Sequence, residues 1–389
     1  MARSKKDAAA MPVAAFVGDH HSGGGYVNRG IDDSQFSMAQ VKDWAVANKV
    51  ELVALLGDYA DKQRNRSSAI VPLRTQLEQI RDAGIDVGFI QGNHDFDSPP
   101  WLSGGGFFWL DKEVVDLHGF LWMGLDYRPR DEILRTLAED IPDDVTGLIM
   151  HQCWSDFMGD VAAPQCGFED VPVQVLRLVT GDYHGGCMID TYRGKGGQKL
   201  IVANPGATSM QDISEPGEKA FVAFLSDGTF LEVPLKTRVV LRSDVLHTSN
   251  DLDRFVGEVG QAIDSATAQA SRQGYPEDMW KPLLQVVYSH AIPDGLRRIE
   301  RVVNGRAHLF PKELKPEKVT KTFKANVAEA KGKAFTPQML LKEEIDPAGK
   351  DDPLDKEAYV LAETLLNTNT KDDVVREIAK YRQRVMEGA

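Results

Sequence analysis

Cysteine is scarce in this chain: 389 residues contain only Cys153, Cys166 and Cys187, an odd set with no Cys-x-x-Cys spacing. That supports neither a disulfide framework nor a thiolate zinc site, and it fits a reducing compartment. Positive charge is also in deficit. Lys and Arg total 45 against 58 Asp and Glu, a formal net charge of -13, which excludes a chain that coats nucleic acid by bulk charge and leaves only local contact. No apolar run approaches the ~20 residues needed to span a bilayer. The basic start leads into an apolar stretch, but Asp7 and Pro12 interrupt it and it empties into Gly18-Asp19-His20-His21, unlike a cleavable leader. The expectation is a soluble, cytoplasmic protein with no membrane partner.

What is present is an ordinary globular composition, 42% hydrophobic and 26% charged, long enough for two or three units or for one large unit with appendages. Short apolar runs recur up to about residue 236: Val13 to Val17, Glu51 to Leu56, Val87 to Ile90, Leu121 to Leu125, Leu148 to Met150 and Leu176 to Val179. Helical patterns near 35–48 and 66–83 fill gaps between them. Nearly continuous apolar runs suit strands covered on both faces, so the reading is an α/β layered sheet. After Pro234 the texture changes. Val239 to Leu241 and Leu284 to Tyr288 read as strands, 249–273 and 294–304 as helices, together a small α+β module. Lysines dominate from Pro311 to Lys333, with Lys312, Lys315, Lys318, Lys321 and Lys324 spaced by three. An acidic linker follows, then two amphipathic patterns at about 354–366 and 371–387.

Several of the strands end in polar clusters: Asp19-His20-His21, Gly57-Asp58-Tyr59-Ala60-Asp61, Gly92-Asn93-His94-Asp95, His151 and Gly181-Asp182-Tyr183-His184. Ligands in open α/β sheets bind beyond the carboxyl ends of strands, so clusters far apart in sequence can converge there. Oxygen and nitrogen donors of this kind suit Mn, Fe or Zn better than soft ions. They are too many for one ion, whereas a pair about 3.5–4 Å apart sharing a carboxylate would use them all and serve displacement at phosphorus.

In order and spacing, these clusters resemble the five signatures of calcineurin-like metallophosphoesterases. Asn204-Pro205-Gly206-Ala207-Thr208 resembles the loop that follows the last signature in the DNA-repair branch, and the later module and helix pair complete a resemblance to SbcD-type nucleases. The resemblance implies a layered β-sandwich core flanked by helices, with a small α+β capping domain and a C-terminal helix pair. The corresponding domains are 1–236 (nuclease), 237–311 (DNA capping), 312–353 (basic then acidic linker) and 354–389 (helix pair for an ATPase partner). It also implies two divalent ions, Mn first with Fe, Zn or Mg as alternatives. Asp19, His21, Asp58 and His184 would surround one ion; Asp58, Asn93, His151 and Asp182 the other. His94 would act on the leaving oxygen, with Asp95 orienting its ring. The implied partners are DNA, an SbcC-like ABC-type ATPase with a coiled coil, and a second copy of the chain.

One position departs from that pattern, since the last signature usually reads Gly-His-x-His and Asp182 replaces its first imidazole. A third carboxylate removes positive charge from the centre, which would hold the second ion firmly and favour diesters over phosphate monoester dianions. Two other readings stay open: a metallophosphoesterase for nucleotides or phosphoproteins, and a non-catalytic adaptor that binds DNA ends or the ATPase. The remaining histidines, His20, His118, His247, His290 and His308, are read as structural. Gly23 to Gly25 and Gly104 to Gly106, the latter flanked by Trp101, Phe107, Phe108 and Trp109, could admit a nucleic-acid strand or form plain loops and a satellite apolar cluster.

Overall fold

The computed structural model describes residues 10–23, 33–60, 66–95, 100, 102–158 and 164–314, with backbone only for 66–69. Through the core the elements run β1 (Pro12–Val17), α1 (Ser34–Asn48), β2 (Leu52–Leu56), α2 (Arg66–Asp82), β3 (Asp86–Ile90), β4 (Phe108–Trp109), β5 (Val114–Leu117), β6 (Phe120–Leu125), α3 (Arg130–Glu139), β7 (Gly147–His151), α4 (Ser155–Met158), β8 (Arg177–Gly181), β9 (Met188–Arg193), β10 (Lys199–Asn204), β11 (Lys219–Leu225) and β12 (Phe230–Leu235). They make two six-stranded sheets, ordered β12-β11-β1-β2-β3-β4 and β5-β6-β7-β8-β10-β9. Strands β1 to β4 run parallel, as do β6, β7, β8 and β10, while β11, β12, β5 and β9 are joined antiparallel. The expected layered α/β class is therefore the observed one.

Alternation along each strand explains the layers. In β1, Ala14 and Phe16 face inward with Leu56, Ile90, Trp122, Ile149 and Val179, residues drawn from both sheets. Ala15 and Val17 face outward and pack with Met38 and Val41 of α1 and Leu73 and Leu77 of α2. The outer face of the second sheet, including Leu125, Leu148 and Leu178, is covered by Ile133 and Leu137 of α3 together with Trp154 and Phe168. Between the sheets, Trp122 lies 5.4 Å from Phe16 and 5.1 Å from Phe224 by ring centroid; each such aromatic contributes roughly 1.5–3 kcal/mol by burial. Parallel β1, β2 and β3 end on one edge, as do parallel β7 and β8 in their own sheet. That places the loops bearing Asp19, Asp58, Asn93, His151 and Asp182 at strand carboxyl ends.

Beyond Leu235 come β13 (Val240–Arg242), α5 (Ser249–Arg272), β14 (Leu283–Ser289), α6 (Gly295–Val303) and β15 (His308–Leu314). They match the strand–helix–strand–helix reading; β15 is additional and takes in Lys312. The described residues form two compact units, one holding 10–244, 253–286 and 296–311, the other 245–252, 287–295 and 312–314. Within the first, β13 pairs in parallel with β14 through Val240↔Leu283 and Leu241↔Leu284. Its buried Arg238 guanidinium donates to Asp33 at 2.8 and 2.7 Å, before α1, and to the carbonyls of Asp278 and Lys281. Within the second, Leu246 bridges to Tyr288, and Asp251 accepts from the Thr248 N–H and hydroxyl at the start of α5. Most of the expected 312–353 linker and all of the 354–389 helix pair lie outside the described residues. Among those described, no helix is long and apolar enough to cross a membrane.

Candidate metal centre

Four of the five clusters are tied together by hydrogen bonds from main-chain N–H groups to carbonyls and carboxylates. The N–H groups of His20 and His21 donate to the Asp58 carbonyl at 3.1 and 2.8 Å, and the Thr208 N–H donates to the Asp19 carbonyl at 3.0 Å. The Asp58 Oδ1 accepts the His94 N–H at 2.8 Å. The Asp182 N–H donates to the Asp19 carboxylate at 3.1 and 3.2 Å. His21, Asp58 and Asp182 sit in the left-handed region, at φ 45, 48 and 79°, which non-glycine residues rarely adopt and which gathers at sites where geometry is imposed. Sharp turns of this hand swing each side chain back over the strand ends.

The side chains then meet. His21 Nε2 lies 3.3 Å from His184 Nε2 and 3.6 Å from Asp58 Oδ2. Buried His151 donates through Nδ1 to the Leu56 carbonyl at 2.7 Å. Its Nε2 makes no hydrogen bond, lying 3.6 Å from Asp58 Oδ1 and 3.7 Å from Asp182 Oδ1. Three sets bring their donor atoms within 4.8 Å of one another: Asp19, His21 and His184; Asp19, Asp58 and His151; and His21, Asp58 and His94. Asn93 joins His21, Asp58, His94, Asp182 and His184 in lining an open cleft of about 290 Å3, with Gln211 at its edge.

The electrostatics are those of a crowded anionic pocket. Burial lifts the Asp19 carboxyl to about 6, although His151 and His184 pull it down. Burial would also lift Asp58, but His151, His21 and His94 outweigh it and hold that carboxyl below its usual value. For His151 desolvation acts downward, and Asp58, Asp19 and Asp182 overcome it, taking the imidazole to about 9. An orphaned buried imidazole nitrogen and carboxylates facing imidazole nitrogens at 3.6–4.0 Å, beyond hydrogen-bond reach, fit hard or borderline divalent cations.

All nine site residues expected from sequence lie at this edge. His94 is beside His21, edge to face with ring centroids 4.9 Å apart. Asp95 differs from the expectation of a carboxylate set against the His94 ring. Its Oδ2 accepts the Gly92 N–H at 3.1 Å and its Oδ1 makes no hydrogen bond, so the group serves the turn that presents His94. His20 is structural, as expected, with Nδ1 3.0 Å from the Thr208 hydroxyl. Phe107 is a packing residue beneath Arg74 and Arg81, whereas Phe108 and Trp109 are exposed and Trp109 donates to Asp126 at 3.0 Å. Trp101 and Asp61 lie outside the described residues.

Sequence reading missed Glu215. Its Oε1 accepts from His184 Nδ1 at 3.0 Å and its Oε2 from Lys219 Nζ at 2.7 Å. Burial would lift this carboxyl, but the His184 bond and the Lys219 charge take it down to about 2. Gln211 and Glu215 stand in a turn-rich stretch with no spacing signal; the four-residue interval from Glu215 to Lys219 was the one available hint.

Fold and cleft together give a two-sheet α/β domain with imidazole and carboxylate groups gathered at one edge where they could hold metal ions. Residues 13–173 match the family model described as calcineurin-like phosphoesterase, and that segment is a domain of this type; the match stops short of Asp182 and His184. The chain is also similar to a solved dimetal phosphatase from Danio rerio, at 14% identity and TM-score 0.35, over 58% of this chain and 100% of that one. A second similar structure is the Pseudomonas putida nuclease MPE, at 15% identity and TM-score 0.29, over 57% and 87%. No curated protein sequence matches the chain significantly.

Proposed function

We propose that the chain is a two-metal DNA phosphodiesterase of the SbcD type that cuts duplex ends or single strands in partnership with an SbcC-like coiled-coil ATPase. The observation that carries the metal reading is the position of Asp58, with one carboxylate oxygen 3.6 Å from His21 Nε2 and the other 3.6 Å from His151 Nε2. A carboxylate between two donor groups is the natural shared ligand. Asp19, His21, Asp58 and His184 would hold one ion, and Asp58, Asn93, His151 and Asp182 the other. Bound there, the ions supply Lewis-acid chemistry at phosphorus.

The chain's own residues supply the rest. The Leu56 carbonyl fixes the His151 tautomer and Glu215 fixes that of His184, so each presents Nε2 to the centre. His94, anchored by its N–H on Asp58, is the group we assign to give a proton to the leaving oxygen. Support for a diester comes from the three carboxylates Asp19, Asp58 and Asp182 at one centre, which leave less positive charge to attract a dianion. Support for DNA comes from the resemblance of the Asn204–Thr208 loop, and of the α+β module that follows the core, to the DNA-repair branch.

The test is hydrolysis by the purified chain with Mn2+, with and without the ATPase, on a linear labelled duplex, a single strand, a cyclic dinucleotide and a chromogenic monoester. Cleavage of DNA with little monoester turnover is expected. Preference for the small substrates, or DNA binding without cleavage, overturns the proposal.

A further inference from the structure

Glu215 occupies an unusual position for a carboxylate so near the acidic cluster. Besides His184 Nδ1 and Lys219 Nζ, it accepts the N–H groups of Gln211 and Asp212, each at 3.2 Å. Lys219, on β11, is itself 3% exposed, so the pair is a built feature of the interior. The loop that Glu215 closes is held from the far side as well. Arg242 at the end of β13 donates to the Ile213 carbonyl at 3.0 Å and to the Glu215 carbonyl. Met210 and Leu283 form a small buried cluster against which Ile213, Val240 and Phe310 pack. One loop, 209–215, thus carries a residue at the cleft edge, Gln211, and the carboxylate that orients His184, and it is clasped by residues beyond Leu235.

We infer that Glu215 is a positioning residue for His184 and that Arg242 couples the α+β module to the centre through the 209–215 loop. The physical reason is tautomer and direction: an imidazole bonded at Nδ1 presents the Nε2 lone pair along one line, and losing such an outer partner typically costs about 10- to 100-fold in metal affinity. His151, in the other proposed site, is anchored separately by the Leu56 carbonyl, so the effect should fall on the site that includes His184. The inference rests on the two-metal reading, and the measurement separates their failures.

Mn2+ binding to the full chain is measured by calorimetric titration for the native protein, Glu215→Ala, Glu215→Gln, the pair Glu215→Ala/Lys219→Met, and Arg242→Ala. Circular dichroism melting accompanies each. The paired variant covers the case in which an unpartnered buried Lys219 prevents folding. The native chain is expected to bind two ions. Glu215→Ala and the paired variant should weaken one site about 10- to 100-fold and spare the other. Glu215→Gln, which keeps an acceptor, should restore most of the loss, and Arg242→Ala should weaken the same site by a smaller factor. A purely structural role would shift melting without this site selectivity or rescue. Two unaltered sites in the folded paired variant overturn the role of Glu215, and an unaltered Arg242→Ala overturns the coupling. A native chain that binds no Mn2+ overturns the function proposal itself.

Discussion

Asp126, at the end of the sheet beside the centre, accepts the Gln91 N–H at 2.7 Å and the Trp109 indole N–H at 3.0 Å. Burial and the neighbouring Asp111 charge nevertheless lift its carboxyl to about 7. The folded chain therefore binds a proton here that the unfolded chain, with an ordinary value near 3.8, releases earlier. The stabilisation is fully present below the unfolded value and is lost as pH rises through about 7. Asp126→Asn keeps an oxygen for both donors and removes the titration. Urea unfolding should show the native chain losing more stability than the variant between about pH 5 and pH 8; parallel curves would refute this. At the centre, His94→Ala should retain bound metal and lose turnover about 10²- to 10⁴-fold, as for removal of a proton-transfer group. Asp182→Ala should instead lose one of two ions, measured by elemental analysis. Metal loss in the first variant, or full stoichiometry in the second, would exchange or cancel the assigned roles.

The turns between elements decide where those side chains go. Gly57, between β2 and Asp58, has φ +87°, and a Cβ there would fall 2.6 Å from His151 Nδ1 and 2.8 Å from the Gly92 N–H nitrogen. Gly57→Ala should therefore cost at least ~1–2 kcal/mol for the left-handed backbone alone, with more for displacing His151, and should weaken Mn2+ binding. Chemical denaturation of the metal-free chain and a metal titration check both parts; unchanged values in either would show that the turn yields freely. The same elements explain what the sequence disclosed. Glu51 to Leu56 and Leu148 to Met150 were readable as strands because both faces are buried, so apolar residues run without a break between turn residues. Met188–Arg193 and Phe230–Leu235 were not, because these edge strands expose much of their length and carry polar or charged residues. Lys219–Leu225 is as apolar as the runs that were recognised, but it opens with a lysine buried against Glu215, a pairing that only folding reveals. The proposed metal donors were legible because each stands at or just beyond the carboxyl end of a strand. Glu215 was not, since it acts from a turn 31 residues after His184, where no periodicity links the two.

At the scale of the whole molecule, a net charge of -13 opposes association with a polyanion, so the proposed DNA contact needs a local source of attraction. The regularly spaced lysines provide a candidate in Lys312, on β15, and Lys315, Lys318, Lys321 and Lys324, which lie outside the described residues. A lysine that neutralises a phosphate releases a condensed counterion, and each such pairing steepens the fall of log affinity with log salt by about 0.7–0.9. Lysines that merely keep a tether solvated leave that slope alone. Replacing all five by Gln should therefore weaken DNA binding most at low salt and reduce the slope by about one unit for each phosphate no longer neutralised, while Mn2+ stoichiometry stays at the native value because none is a proposed ligand. Fluorescence anisotropy of a labelled duplex across a series of salt concentrations, in Ca2+ or with His94→Ala to limit cleavage, measures the slope directly. An unchanged slope would assign the lysine run to the tether and move the search for phosphate-binding groups to the exposed arginines of α6, Arg297 and Arg301.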